Sequence, residues 1–180
     1  MQIDPGISLV IAISLAALFA ASAAHKALGF PAFVGVVRNY RIAPAAMAPV
    51  LALTAFAAEA AIAIGLLVPF TRSGAAVGAA LILFGYGAAI GFNIARGRAE
   101  IDCGCSFGPS ADRLTPMLVA RNAIVALSAV LLAFPAASRT LGIVDFVFIG
   151  IAVATVSVLY LAAERLRTNA VKFQMAGFAR

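Results

Sequence analysis

The chain is short of the residues that make a soluble surface and of those that build most active sites. Only 11% of its 180 residues are charged, and it has one histidine, two cysteines and no tryptophan. Soluble domains carry about 25% charged residues, so this composition cannot cover a water-soluble globule. One histidine and two cysteines cannot close a four-ligand zinc site within one chain, so no metal is expected. Acidic residues number 7 against 13 basic ones, a formal net charge of +6. No recognition motif or aromatic interleaving accompanies that charge, so nucleic acid is not an expected partner. The apolar runs lack the alternation of barrel strands. The opening residues "MQIDPG" contain no basic residue, so the first apolar run reads as an uncleaved helix and not as a signal peptide.

What the chain has in abundance is apolar sequence: 64% hydrophobic residues and a mean hydropathy of +1.07. A bilayer-crossing helix needs about 20 such residues. Five segments qualify, at 7–28, 47–70, 73–95, 115–136 and 143–163. The fold class is therefore an all-α integral membrane protein, a bundle of four to five transmembrane helices over residues 1–163, with membrane lipid as its surroundings. A basic tail, 164–180, is expected along the membrane surface. The connection after the first span mixes apolar and basic residues, the pattern of a short interfacial helix. "PFTRSG" is a tight turn, which makes spans two and three a hairpin. Gly74 and Gly78, then Gly87 and Gly91, stand at the four-residue spacing that lets membrane helices approach closely.

The Lys and Arg residues sort unequally across five spans. Lys26, Arg38, Arg41, Arg96, Arg98, Arg113, Arg165, Arg167, Lys172 and Arg180 fall on one side, and Arg72 and Arg139 on the other. The positive-inside rule puts the first group in the cytoplasm.

Glu59 lies near the middle of span two. A carboxyl there costs roughly 2.5–3.5 kcal/mol on insertion scales, so it is expected to face the bundle interior with a partner. Arg121 and Asn122 in span four and Asn93 near the end of span three are the candidates. Glu59 reads equally as a proton carrier or ligand contact and as half of a structural ion pair. His25 reads as an interfacial anchor, and Asp145 as a carboxylate suited to a helix N-terminus.

The two cysteines stand together in "IDCGCSFGP", residues 101–109. Cys103 and Cys105 enclose Gly104, which puts no side chain in the way of a tight turn. A disulfide between them closes almost no chain, so it is a poor staple. Such a small ring is strained, and strained disulfides are the more oxidising ones. The following helix start lowers a thiol pKa, with Arg96, Arg98 and Arg113 assisting and Asp102 opposing. Three readings stay open: thiol exchange is favoured, inert buried thiols come second, and a soft Cu(I) site third.

Several of these residues occur together in a known family. Tyr40 and Pro44 follow span one, Glu59 and Gly65 lie in span two, and "FNIARGR" (92–98) precedes "DCGCSFG" (102–108) and "RN" (121–122). The whole arrangement resembles the methylamine-utilisation protein family MauE, within the broader DoxX-like membrane families. The resemblance implies a bacterial inner-membrane factor for maturation, folding or export of the periplasmic methylamine dehydrogenase small subunit. It implies a thioredoxin-like MauD-type protein as partner and Cys103 and Cys105 as the exchanging pair. No cofactor is firmly implied; a membrane quinone enters only by analogy with quinone-linked disulfide generators, since no quinone-binding motif is visible. A periplasmic client wants the thiols outside, where the charge count does not put them; function favours the outward placement. The alternatives are a non-enzymatic assembly or export scaffold and, more weakly, a small-molecule transporter with a midplane site at Glu59.

Overall fold

Apolar residues on every side of a helix leave its backbone groups only one another as partners, which in lipid selects helices. The computed structural model describes residues 2–102, 104 and 113–178, with side chains up to 170. Within them the order is α1 (Pro5–Leu28), α2 (Phe30–Tyr40), a 3-10 turn (Ala45–Met47), α3 (Ala48–Leu67), α4 (Arg72–Ala95), α5 (Pro116–Leu131) and α6 (Ile143–Phe178). Four of these helices are long and apolar enough to cross a membrane, and α5 is a shorter apolar helix.

At 16 residues, α5 rises only about 24 Å, less than the roughly 30 Å of a hydrocarbon core. It nevertheless joins the two ends of the bundle. At its start, the Leu114 N–H donates to the Ala99 carbonyl, just beyond α4, at 2.8 Å. Past its end, the Ile3 N–H donates to Pro135 and the Ala137 N–H to Ile3, just before α1. By contrast α6 has 36 residues and rises about 54 Å. It runs without a break through the segment expected as a surface tail.

The main core is small and alanine-rich. Ala12, Leu15, Ala16, Phe19, Leu66, Ala76, Ala79, Leu83, Ala126 and Ala129 are buried where α1, α3, α4 and α5 meet. Small side chains let these helices approach, as membrane packing requires. Gly65 marks the tightest point, since a Cβ there would stand 2.9 Å from the Ala75 Cβ. The α3–α4 turn is closed by side chains: the Thr71 hydroxyl donates to the Gly65 carbonyl at 2.9 Å and Arg72 Nε to Leu66 at 3.0 Å. Those are orphan carbonyls at a helix end. In contrast, α6 rests mainly on α1 and exposes Ile143, Phe146, Phe148 and Ile151.

The end of the bundle away from the cysteine loop is tied by Arg139. Its guanidinium donates to Asp4, which caps α1, and to Asp145, in the first turn of α6. Arg139 and the Gly6 N–H hold the Asp4 carboxyl below the usual carboxylate range. A lowered folded pKa contributes stability above the unfolded value of about 3.9 and loses it as pH falls through the folded value. Thermal unfolding in detergent between pH 7 and pH 3 should show this acid loss in the parent and a smaller one in Arg139→Gln.

Candidate functional site

The polar residues of the membrane interior gather at the cysteine-loop end of the bundle. Lys26, two residues before the end of α1, does not reach outward to the interface. Its ammonium turns in and donates to both carboxylate oxygens of Glu59, each at 2.9 Å, and to the Ser22 hydroxyl at 2.6 Å. The pair is almost completely buried, at 2% and 1% exposure. The Tyr86 hydroxyl on α4 donates to Glu59 Oε1 at 2.6 Å. The ammonium also lies over the rings of Phe33 and Tyr86, 5.1 and 5.7 Å from their centroids, where the ring faces attract a cation. The cluster thus joins α1, α2, α3 and α4.

The partner of Glu59 is therefore Lys26, where the sequence pointed to Arg121, Asn122 or Asn93. Arg121 pairs instead with Glu164 of α6, and Arg167 holds the second oxygen of that carboxylate at 2.8 Å. Arg121 and Asn122 still line a chamber of about 40 Å³ together with Glu59, Ser22, Tyr86 and Tyr160. That space, walled mostly by apolar atoms but bordered by these polar groups, is large enough for a water molecule. Asn122 donates to its own helix at Leu118, 2.8 Å away, and packs against Gly87 of α4, where a Cβ would stand 3.6 Å from its own. Asn93 is fully buried, and its amide oxygen accepts from Arg98 at 3.3 Å.

Arg98 reaches across to α2. It donates to the Asn39 carbonyl at 2.9 Å and to that of Tyr40 at 3.5 Å. These carbonyls stand at the α2 C-terminus, where a cation is favoured. The helix stops there because Arg41 turns left-handed, with φ 47°.

Gly104, between the two cysteines in sequence, also packs on α2. Gly104 has φ +69°, which glycine adopts without strain. Its N–H donates to Asp102 Oδ1 at 3.0 Å, a local turn closed by a side chain. A Cβ on Gly104 would stand 2.9 Å from Val36 Cγ1 and 3.4 Å from the Phe33 ring. Gly104 is thus seated on α2. Cys103 and Cys105 themselves lie outside the described residues. Phe33 and Val36 also line a cavity of about 200 Å³ between α2, α3 and α4, with Lys26, Tyr40 and Tyr86.

Sequence reasoning missed Lys26, Tyr86, Arg98 and Glu164 as members of these clusters. Ser22 and Lys26 carry a usable signal: they are polar residues at i and i+4, one helix face, at the end of an apolar run.

A sequence model of the methylamine utilisation protein MauE matches residues 5–135. The chain is 38% identical to the methylamine utilization protein MauE of Paracoccus denitrificans over 169 residues, covering 91% of this chain and 89% of that protein. It is 38% identical to the protein of that name from Methylorubrum extorquens over 70% of this chain and 68% of that one. It is 32% identical to the protein from Methylophilus methylotrophus over 89% and 86%. No solved structure matches.

Proposed function

The chain belongs to the MauE family of methylamine utilisation proteins, and from that premise we propose that it is an inner-membrane factor maturing the methylamine dehydrogenase small subunit. It acts by thiol–disulfide exchange through Cys103 and Cys105, with a thioredoxin-like partner of the MauD type. The observation that carries the reading is the Gly104 turn: positive φ, closure by Asp102 and a seat on α2. A bend at Gly104, the residue between the two cysteines, is what a Cys-Gly-Cys exchange pair would need.

The exchange balances without a further reagent. A thiolate of the partner attacks the Cys103–Cys105 disulfide, one sulfur–sulfur bond breaks as a mixed disulfide forms, and the second partner thiolate resolves it. The partner leaves oxidised, and the pair here is left as two thiols carrying the two electrons and two protons. A membrane quinone would supply a two-electron sink for restoring the pair. The apolar cavity of about 200 Å³ walled by Phe33, Tyr40 and Tyr86 has room for such a ring.

A scaffold without redox chemistry is the second reading. It is favoured by α6, whose membrane-length portion is only 6% buried and so leaves an apolar face for another helix.

Cys103→Ser with Cys105→Ser separates the two. The redox reading expects the client to lose its disulfides and fail to accumulate, while the variant itself inserts normally. Normal client disulfides would sink it. A single Cys105→Ser variant is expected to trap a mixed disulfide through Cys103. After treatment of whole cells with an impermeant reductant, membrane-impermeant maleimide is expected to label the pair, as an outward placement requires. Labelling only after permeabilisation reverses that placement.

A further inference from the structure

We infer that the seam between α5 and α6 is a binding site for an anionic phospholipid of the bilayer, with its phosphate at Arg121 and Arg167 and an acyl chain in the cavity beneath. This site is independent of the cysteine chemistry. Helix α6 packs on α1 and hardly on α5. The two helices meet through charge, since Arg121 of α5 and Arg167 of α6 share the Glu164 carboxylate. Deeper in the bundle they stand apart over α1, and a cavity of about 410 Å³ opens between them.

Charge and cavity lie along one line. On α5, Arg121, Val125 and Ser128 stand at i, i+4 and i+7. On α6, Ser157, Tyr160 and Glu164 stand at i, i+3 and i+7, so each set shares a helix face. Val125, Ser128, Ser157 and Tyr160 wall the cavity. Ser128 and Ser157 turn their hydroxyls onto their own helices, to the Val125 and Val153 carbonyls at 2.7 and 2.8 Å, so these walls suit an apolar chain. Ala17, Ala21, Val156 and Leu161 around it are exposed, so in a bilayer the cavity opens to lipid. The charged end lies toward the cysteine-loop end of the bundle, where a headgroup would be. Arg121 is five residues into α5, a rise of about 8 Å, and Glu164 opens the charged stretch of α6.

The charges there do not cancel. Lys26 and Glu59 neutralise each other, and Glu164 offsets only one of Arg121 and Arg167. Among the described residues of this cluster one positive charge is in excess, which is costly inside a membrane protein. Arg121 and Glu164 are each 18% exposed, so a headgroup can reach them. A guanidinium has five N–H donors, so both can stay on Glu164 and still donate to phosphate oxygens in charge-assisted bonds. Basic pockets between membrane helices bind anionic headgroups in this way. A free phosphate would match the charge and leave the cavity empty. A zwitterionic lipid would fill the cavity and bring its own cation.

The test is lipid binding to the full-length protein in dodecyl maltoside, read by native mass spectrometry and by melting temperature. The probes are phosphatidylglycerol, phosphatidylcholine with the same chains, and inorganic phosphate. One phosphatidylglycerol is expected to bind and raise the melting temperature, about fivefold tighter than phosphatidylcholine, the effect of one charge near a membrane surface. Arg121→Gln leaves a neutral Arg167–Glu164 pair and is expected to weaken phosphatidylglycerol about fivefold. Glu164→Gln leaves two cations and is expected to tighten it by about the same factor. An ion pair that is only structural would give weaker binding in both, and that result overturns the inference. Ser157→Phe fills the cavity and is expected to weaken binding with every charge in place; parent affinity in that variant overturns the chain site. Arg165→Gln, exposed on another face of α6, is expected to keep the parent affinity, and an equal loss there would reduce the effect to general surface charge. Equal stabilisation by inorganic phosphate would make this a free-anion site, and a dimer dispersed by Ser157→Phe would give the seam to a second copy; either overturns the lipid. Should one charge variant not fold, the other together with Ser157→Phe decides.

Discussion

Lys26→Met is expected to destabilise the protein by about 3–5 kcal/mol, the cost of leaving one member of a buried ion pair without its partner. Glu59 is 1% exposed and lies mid-helix, away from the membrane interface, and a water in the adjoining chamber would solvate the carboxylate without neutralising it. Tyr86 still donates to it, but a phenol does not neutralise a carboxylate. Glu59→Leu carries a similar cost in the opposite sense, a buried cation without its counter-charge. Lys26→Met/Glu59→Leu should recover most of the loss, since well-packed apolar residues often replace a buried pair without penalty. The double variant also removes the hydrogen bond from the Tyr86 hydroxyl to Glu59, worth about 1.5–3 kcal/mol to a charged group, and Tyr86→Phe added to the pair measures that share. Thermal unfolding in detergent, read by helicity, measures all four. Equal melting temperatures for parent and Lys26→Met would refute the buried pair.

The second large effect belongs to Gly104→Val. A left-handed backbone costs an L-residue roughly 1–2 kcal/mol, and a Cβ there meets Val36 Cγ1 at 2.9 Å. Overpacking of that kind adds about 1–3 kcal/mol. The strain is local, and the turn can escape it by leaving α2. The expected signature is therefore a change in cysteine alkylation and a loss of exchange activity, with the helical bundle melting almost as in the parent. Val36→Ala should relieve the contact but not the backbone strain, restoring only part of the parent behaviour. Complete restoration by Val36→Ala would mean that φ at Gly104 is not constrained.

The helices were legible because lipid removes water as a partner for the backbone, and long apolar runs then have one outcome. The resemblance was legible for another reason: Phe92 to Gly108 is a polar and glycine-bearing stretch in a chain of apolar ones, so its residue types stand out. The partner of Glu59 was not legible. The sequence places Lys26 at a helix end, where basic residues normally reach the membrane surface, and it was counted there as one of ten cations on that side. In the fold both Lys26 and Arg167 are buried in ion pairs. Eight cations against two remain, and the bias keeps its direction.

Sequence by itself determined that the chain is a membrane helix bundle with a dithiol loop next to its fourth span, since hydropathy and cysteine spacing are local properties. Only the tertiary structure decided which charges pair. Lys26 and Glu59 are 33 residues apart and Arg121 and Glu164 are 43 apart. Which cation a buried carboxylate receives depends on how α1, α3, α5 and α6 are rotated about their axes. That rotation is set by close packing of alanine and glycine faces, and in chains apolar all round no periodicity in the sequence records it.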